Sequence, residues 1–180
     1  MKYIIVDLEA TCWEGRGNPP NEIIEIGAVL VNEQLEIESE FQRFVKPIKH
    51  PILSDFCKEL TTITQVEVDQ AQGFPEVLQQ FQDWFDLEKG NYLLCSWGFY
   101  DKKQFQEDCL IYGLPTDWTL AHISLKHQYW KIKGLRRKVG LKKALELEQL
   151  ELTGTHHRGI DDARNITKIF LRHAAAWEMP

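Results

Sequence analysis

Hydrophobic and polar positions along this chain alternate first with the period of strands and later with the period of helices. Residues 3–11 open with Tyr3-Ile4-Ile5-Val6, a β-branched apolar run, and then place Asp7 and Glu9 two apart around Leu8. Side chains two apart on a strand share a face. Residues 22–31 read as a second strand around Ile23, Ile24 and Ile26, and residues 35–45 as a third. The short links between them predict an antiparallel meander. Ser54 and Thr64 are placed to cap two short helices, up to residue 60 and over residues 66–71. Phe74, Val77, Leu78, Phe81, Trp84 and Phe85 follow helical spacing and predict an amphipathic helix over residues 74–85. A short buried strand is expected over residues 92–97 and a helix over residues 100–112, stopped by Gly113 and Pro115. A fifth strand is expected over residues 118–123, then helices over residues 124–130, 142–147 and from residue 160 or 161 to 176.

The strand end carries the first candidate chemistry. Two carboxylates held side by side repel, and both stay ionised only with a cation nearby. Asp7 and Glu9 therefore either end a strand at a polar surface or hold a metal ion with hard oxygen donors. Asp101 falls in the first turn of its helix on the stripe shared with Phe105, Cys109 and Tyr112. It is either a partner of the helix dipole or a further ligand. In the last helix, His156/Asp161 and His157/Asp162 have equal separations, so spacing alone selects neither pair. Asp161, Asn165, Lys168 and Arg172 form a polar stripe expected to face water. Asp162, Ile166, Ile169, Phe170 and His173 form the inward stripe. Asp162 is thus the inward carboxylate, and His157 reaches the same region from the preceding loop. Four converging carboxylates call for divalent ions, and two such ions can clamp a phosphodiester for in-line displacement. A histidine titrating near neutrality can take the proton of the attacking water.

Length and composition change this picture little. The chain has 180 residues, 43% hydrophobic and 27% charged, as expected for one soluble globular domain spanning residues 1–180. The apolar run before Asp7 is too short for a signal h-region or a membrane span. Cys12, Cys57, Cys95 and Cys109 show no metal-ligand spacing, and reduced thiols in a cytoplasmic protein are expected. The net charge of −6 disfavours a broad nucleic-acid-binding surface. Residues 126–143, however, carry Lys126, Lys131, Lys133, Arg136, Arg137, Lys138, Lys142 and Lys143 with no acidic residue. That segment is either a solvated basic loop or a local site for a polyanion.

Three segments resemble a known family. Asp7-Leu8-Glu9-Ala10-Thr11, Trp97-Gly98-Phe99-Tyr100-Asp101 and His157-Arg158-Gly159-Ile160-Asp161-Asp162 are similar, in order, to the three motifs of the DEDDh 3′–5′ exonucleases. Asn21-Glu22-Ile23-Ile24-Glu25 and Ser54-Asp55-Phe56-Cys57 further resemble the histone-mRNA 3′ exoribonuclease subgroup. The resemblance implies an α/β, ribonuclease-H-like fold with a mixed five-stranded sheet flanked by helices. It implies two ions, Mg2+ or Mn2+, with Asp7 bridging both, Glu9 and Asp162 on the first, and Asp101 supporting the second through water. His157 would be the general base. Ala10 and Thr11 would lie against the terminal 3′-hydroxyl. The expected partner is the 3′ end of single-stranded RNA or DNA, with no membrane. Trp13 on the rim, and Lys133, Arg136 and Arg137 in the basic segment, are the expected strand contacts beyond the motifs. A non-catalytic nucleic-acid-binding or proofreading subunit on the same fold is the alternative.

Overall fold

The computed structural model describes residues 1–15 and 17–180; Arg16, in the loop expected after the first strand, lies outside the described residues. Five strands form one mixed sheet in the order β3-β2-β1-β4-β5, with β1 Lys2–Ala10, β2 Ile23–Val31, β3 Ile37–Phe44, β4 Tyr92–Ser96 and β5 His122–Ser124. The meander pairs β1 with β2 and β2 with β3 in antiparallel fashion, whereas β1–β4 and β4–β5 are parallel. The expected ribonuclease-H-like topology is therefore present. Among the described residues, seven helices flank it: α1 Asp55–Thr61, α2 Gln65–Gln70, α3 Phe74–Trp84, α4 Tyr100–Ile111, α5 Leu125–Ile132, α6 Leu141–Leu147 and α7 Gly159–Arg172. None of the described helices is long and apolar enough to cross a membrane.

Alternation along β1 divides the core in two. Ile4, Val6 and Leu8 pack with Phe74, Val77 and Phe81 of α3 and Phe105 of α4. Ile5 packs on the other face with Ile166, Ile169 and Phe170 of α7 and with Tyr129 of α5. Phe81 is fully buried, so truncation to alanine should cost ~3–5 kcal/mol. Asp7 and Glu9 continue the face of Ile5. That face is apolar while helices cover it and turns acidic where the strand runs out from beneath them. The start of α7 lies directly on β2: a Cβ at Gly27 would sit 2.0 Å from Ile160 N. Only glycine lets this helix approach, and Asp162 stands three residues into it.

The local signals at α1 and α2 hold. Ser54 Oγ accepts the Cys57 N–H at 3.0 Å, and Thr64 forms a capping box with Glu67. The fifth strand differs from expectation. Residues 117–119 make a 3-10 turn, Trp118 is buried in the α3–α4 core, and pairing with β4 begins only at His122 opposite Leu94. Trp118 is spent on packing, so the strand starts four residues later than its apolar residues suggest. The third strand starts at Ile37 because Leu35 occupies a turn at φ +64°, and the last helix stops at Arg172 before a 3-10 turn.

Candidate active site

β1 delivers Asp7 and Glu9 at its C-terminal end, where the chain passes from antiparallel to parallel neighbours. Open α/β sheets bind ligands at such switch points. α4 begins at the same place. Its Asp101 is 5% exposed and accepts the Leu8 N–H on Oδ1 at 3.1 Å. α7 brings Asp162, 4% exposed, from the opposite layer. Oxygens of Asp7, Glu9 and Asp162 lie within 4.8 Å of one another. Together with Asp101 they line an open cleft of about 420 Å³ whose other walls are Trp97, Gly98, Tyr100, Lys126, Gly140, Leu141, His156 and His157.

Electrostatics mark the cluster as incomplete. Burial, with Asp101, Glu9, Asp162 and Glu25 adding repulsion, pushes Asp7 well above the usual carboxylate range. Burial and the charges of Asp162, Glu25 and Asp101 push Glu9 up to about 8. Burial also raises Asp101 to about 6, although hydrogen bonds from Ser96 and the backbone pull the other way. Acids held this closely repel one another, and their hard oxygen donors fit divalent ions of the magnesium class. The His156, His157 and Asp162 ligand atoms form a second group within 4.8 Å, so Asp162 belongs to both.

The two histidines are used differently. His156 Nδ1 lies 3.0 Å from both carboxylate oxygens of Asp162. His157 gives Asp162 only its backbone N–H, at 3.0 Å, and its φ of +65° turns the ring back into the cleft. The rings stack at 4.0 Å. Burial and the neighbouring His156 lower the His157 pKa, against the pull of Asp162, which favours a neutral ring able to accept a proton.

Asp161 lies outside the cluster, as the helical argument requires, but it is bonded rather than hydrated. Its carboxylate accepts the Thr155 N–H at 2.8 Å and pairs with Arg164 at 2.9 Å. A Cβ at Gly154 would strike that carboxylate at 2.2 Å, so the loop can close on Asp161 only with glycine there. Asn165 corrects the expected polar stripe. It is fully buried and clasps Thr153, donating to its carbonyl at 2.9 Å and accepting its N–H at 3.1 Å.

The expected strand contacts fare unevenly. Thr11 is 2% exposed and its hydroxyl accepts the Glu22 N–H at 2.9 Å, so its side chain braces the loop instead of facing a ligand. Ala10 is likewise buried, in the β1–β2 ladder. Trp13 does not line the cleft; its ring lies edge-on to His50 at 5.1 Å. Lys133 stays exposed, but its ammonium pairs with buried Glu148 at 3.1 Å and is not free to meet a strand alone. Arg136 and Arg137 are exposed but do not line the cleft; Lys126 does.

Glu25 escaped the sequence reading. It is a fully buried carboxylate directly opposite Glu9 in the β1–β2 register. One oxygen accepts the Gly159 N–H at 2.9 Å and Arg158 Nε at 3.3 Å, and the other accepts Gln42 Nε2 at 2.7 Å. Glu25 thus pins the turn between His157 and α7. The signal was a lone acid inside an otherwise apolar strand.

Comparison with known proteins agrees with this geometry. The Exonuclease (RNase T) family model matches residues 4–170. Human 3′-5′ exoribonuclease 1 is 39% identical over 179 residues, covering 93% of this chain and 51% of that protein. ERI1 exoribonuclease 2 of Xenopus laevis is 37% identical over 94% of this chain, which spans only 28% of that protein. The probable 3′-5′ exonuclease KapD of Bacillus subtilis (strain 168) is 34% identical, covering 93% of this chain and 82% of that protein. Among solved structures, the nuclease domain of 3′hExo, a DEDDh family member bound to rAMP, superposes with a TM-score of 0.90 at 35% identity. That match covers 99% of this chain and 96% of the other. Motif order, sheet topology, the converging carboxylates and these similarities agree: the chain belongs to the Exonuclease family.

Proposed function

We propose that this chain is a metal-dependent 3′–5′ exonuclease acting on the 3′ end of single-stranded RNA or DNA. The observation that carries the reading is the convergence of Asp7, Glu9 and Asp162 within 4.8 Å in an open cleft, with acids as their charged neighbours. Asp7, Glu9 and Asp162 would hold the divalent ions, Mg2+ or Mn2+, with Asp101 in support. Such ions neutralise the phosphate and favour in-line attack. The chain's own residues do the rest. His157 takes the proton of the attacking water as its oxygen bonds to phosphorus; the phosphorus–O3′ bond breaks, O3′ is protonated to leave the shortened strand with a 3′-hydroxyl, and a nucleoside 5′-monophosphate leaves. His156 and the His157 backbone fix the Asp162 carboxylate. Glu25 fixes the turn that carries His157.

The related proteins support the substrate class: one solved relative is described as recognising the histone mRNA stem-loop. The four free thiols fit a cytoplasmic setting, which imaging of a tagged chain would check. The direct test uses 5′-labelled RNA and DNA strands, single and double, with magnesium or manganese. A ladder shortening from the 3′ end is expected. Binding without shortening would instead favour a non-catalytic strand-binding subunit.

A further inference from the structure

One wall of the cleft continues onto an exposed shelf. Tyr100 lines the cleft and its hydroxyl lies 3.2 Å from Asn21 Nδ2. Phe99, the residue before it, does not line the cleft and is 53% exposed. Single exposed apolar side chains are ordinary on protein surfaces. This one is braced: its ring lies 4.7 Å from the His127 ring at 41°, and 5.8 Å from the His122 ring. His127 is itself fixed, with Nδ1 2.7 Å from Ser124 Oγ. His122 Nε2 lies 2.9 Å from Ser96 Oγ. An aromatic face held in this way is preorganised for stacking. Lys126, the residue before His127, is a cation in the cleft wall whose backbone N–H is tied to Trp97 O at 3.0 Å. Residues 126–143, which it opens, contain no acid.

We propose that Phe99 and His127, with Lys126 beside them, form a binding shelf for the strand on the 5′ side of the scissile bond, stacking a base and pairing with a backbone phosphate. The proposal rests on the nuclease reading and deepens it. A terminal nucleotide ends at its 3′-hydroxyl, so only the 5′ portion of the strand continues out of the cleft. A braced aromatic at the cleft edge with a cation next to it meets that portion. The occupant is a single strand, because a base must be free of its partner to lie flat on one ring.

The test compares two substrates of the full chain: a single-stranded oligonucleotide, and the p-nitrophenyl ester of thymidine 5′-monophosphate, which has no nucleotide 5′ of the reacting phosphate. Phe99→Ala should lower the ratio of oligonucleotide to ester kcat/KM about tenfold, mainly through KM, and Phe99→Trp should restore it. Lys126→Gln should lower the slope of log affinity against log salt by about one counterion. Anisotropy of a labelled single strand in calcium buffer gives a reading independent of turnover, with an expected rise in Kd of about tenfold for Phe99→Ala. An unchanged Kd, or equal losses on both substrates, would overturn the shelf. A wild-type chain that binds the strand but turns over neither substrate would refute the nuclease reading, while the Kd comparison would still decide the shelf.

Discussion

Two buried acidic centres, Glu148 just after α6 and the Asp7 cluster at the end of β1, are built on opposite principles. Glu148, 7% exposed, accepts a hydrogen bond from Tyr129 Oη at 2.8 Å and pairs with Lys133 Nζ at 3.1 Å, and His173 Nε2 lies 3.0 Å away. Burial alone would raise its pKa, but these partners bring it down to about 2. Asp7 and Glu9 are surrounded by further acids, and Glu9 goes up to about 8. Burial is therefore not what distinguishes a working carboxylate. Glu148 is a completed structural centre. The Asp7 cluster gathers like charges instead, the pattern expected of a candidate functional site.

The sharpest way to break this contrast is to remove acids from each centre. Asp7→Asn or Asp162→Asn should lower exonuclease turnover ~10³-fold or more while the chain stays folded, because the metal ligands act in the reaction and not in the core. Circular dichroism beside a labelled-strand assay reads both, and near-normal turnover in either variant would remove that residue from the site. Glu148→Ala should do the reverse. It leaves the buried Tyr129 hydroxyl without its acceptor and should cost ~1–3 kcal/mol of stability, read by urea unfolding, with turnover of the remaining folded protein retained. His157→Ala should cost ~10²–10⁴-fold in turnover with metal affinity largely kept. His156→Ala should cost less, since its ring fixes Asp162 while the backbone of His157 still does so.

The pH dependence of stability is the most diagnostic of the two principles. In metal-free protein, Glu9 holds its proton up to about pH 8 when folded, against 4.5 for the ordinary group. The folded state then binds more protons, so stability falls as pH rises from about 4.5 to 8. Glu148 has the opposite sign: its folded pKa of about 2 gives stability that is present above 4.5 and lost as pH falls toward 2. Melting curves in chelator should show both limbs. Glu9→Gln should reduce the alkaline limb without abolishing it, since Asp7 and Asp101 also titrate high, and an unchanged slope in that variant would contradict the assignment.

The sequence was most informative where local chemistry and periodicity agree. Alternation located β1 and its acidic end, helical spacing located α3, and the face of α7 separated Asp162 from Asp161. It was least informative where a residue's partner is distant. Glu25 gains its meaning only from pairing opposite Glu9 and from meeting Gly159, 134 positions later in the chain. Asn165 looks solvent-facing on a helical wheel until the loop at Thr153 folds over it. Lys133 belongs to a basic run in sequence and to Glu148 in space. Thr11 follows the acidic pair in sequence, yet the bulge after Glu9 turns it toward Glu22.

The central claim is that the Asp7 cluster is completed by divalent ions. Calorimetric titration of manganese into the wild-type chain and into Asp7→Asn at neutral pH tests it most directly. Saturable binding to the wild type, with a stoichiometry near two and a large loss of affinity in the variant, is the expected result. Equal binding by both proteins, or none by the wild type at millimolar manganese, would contradict it.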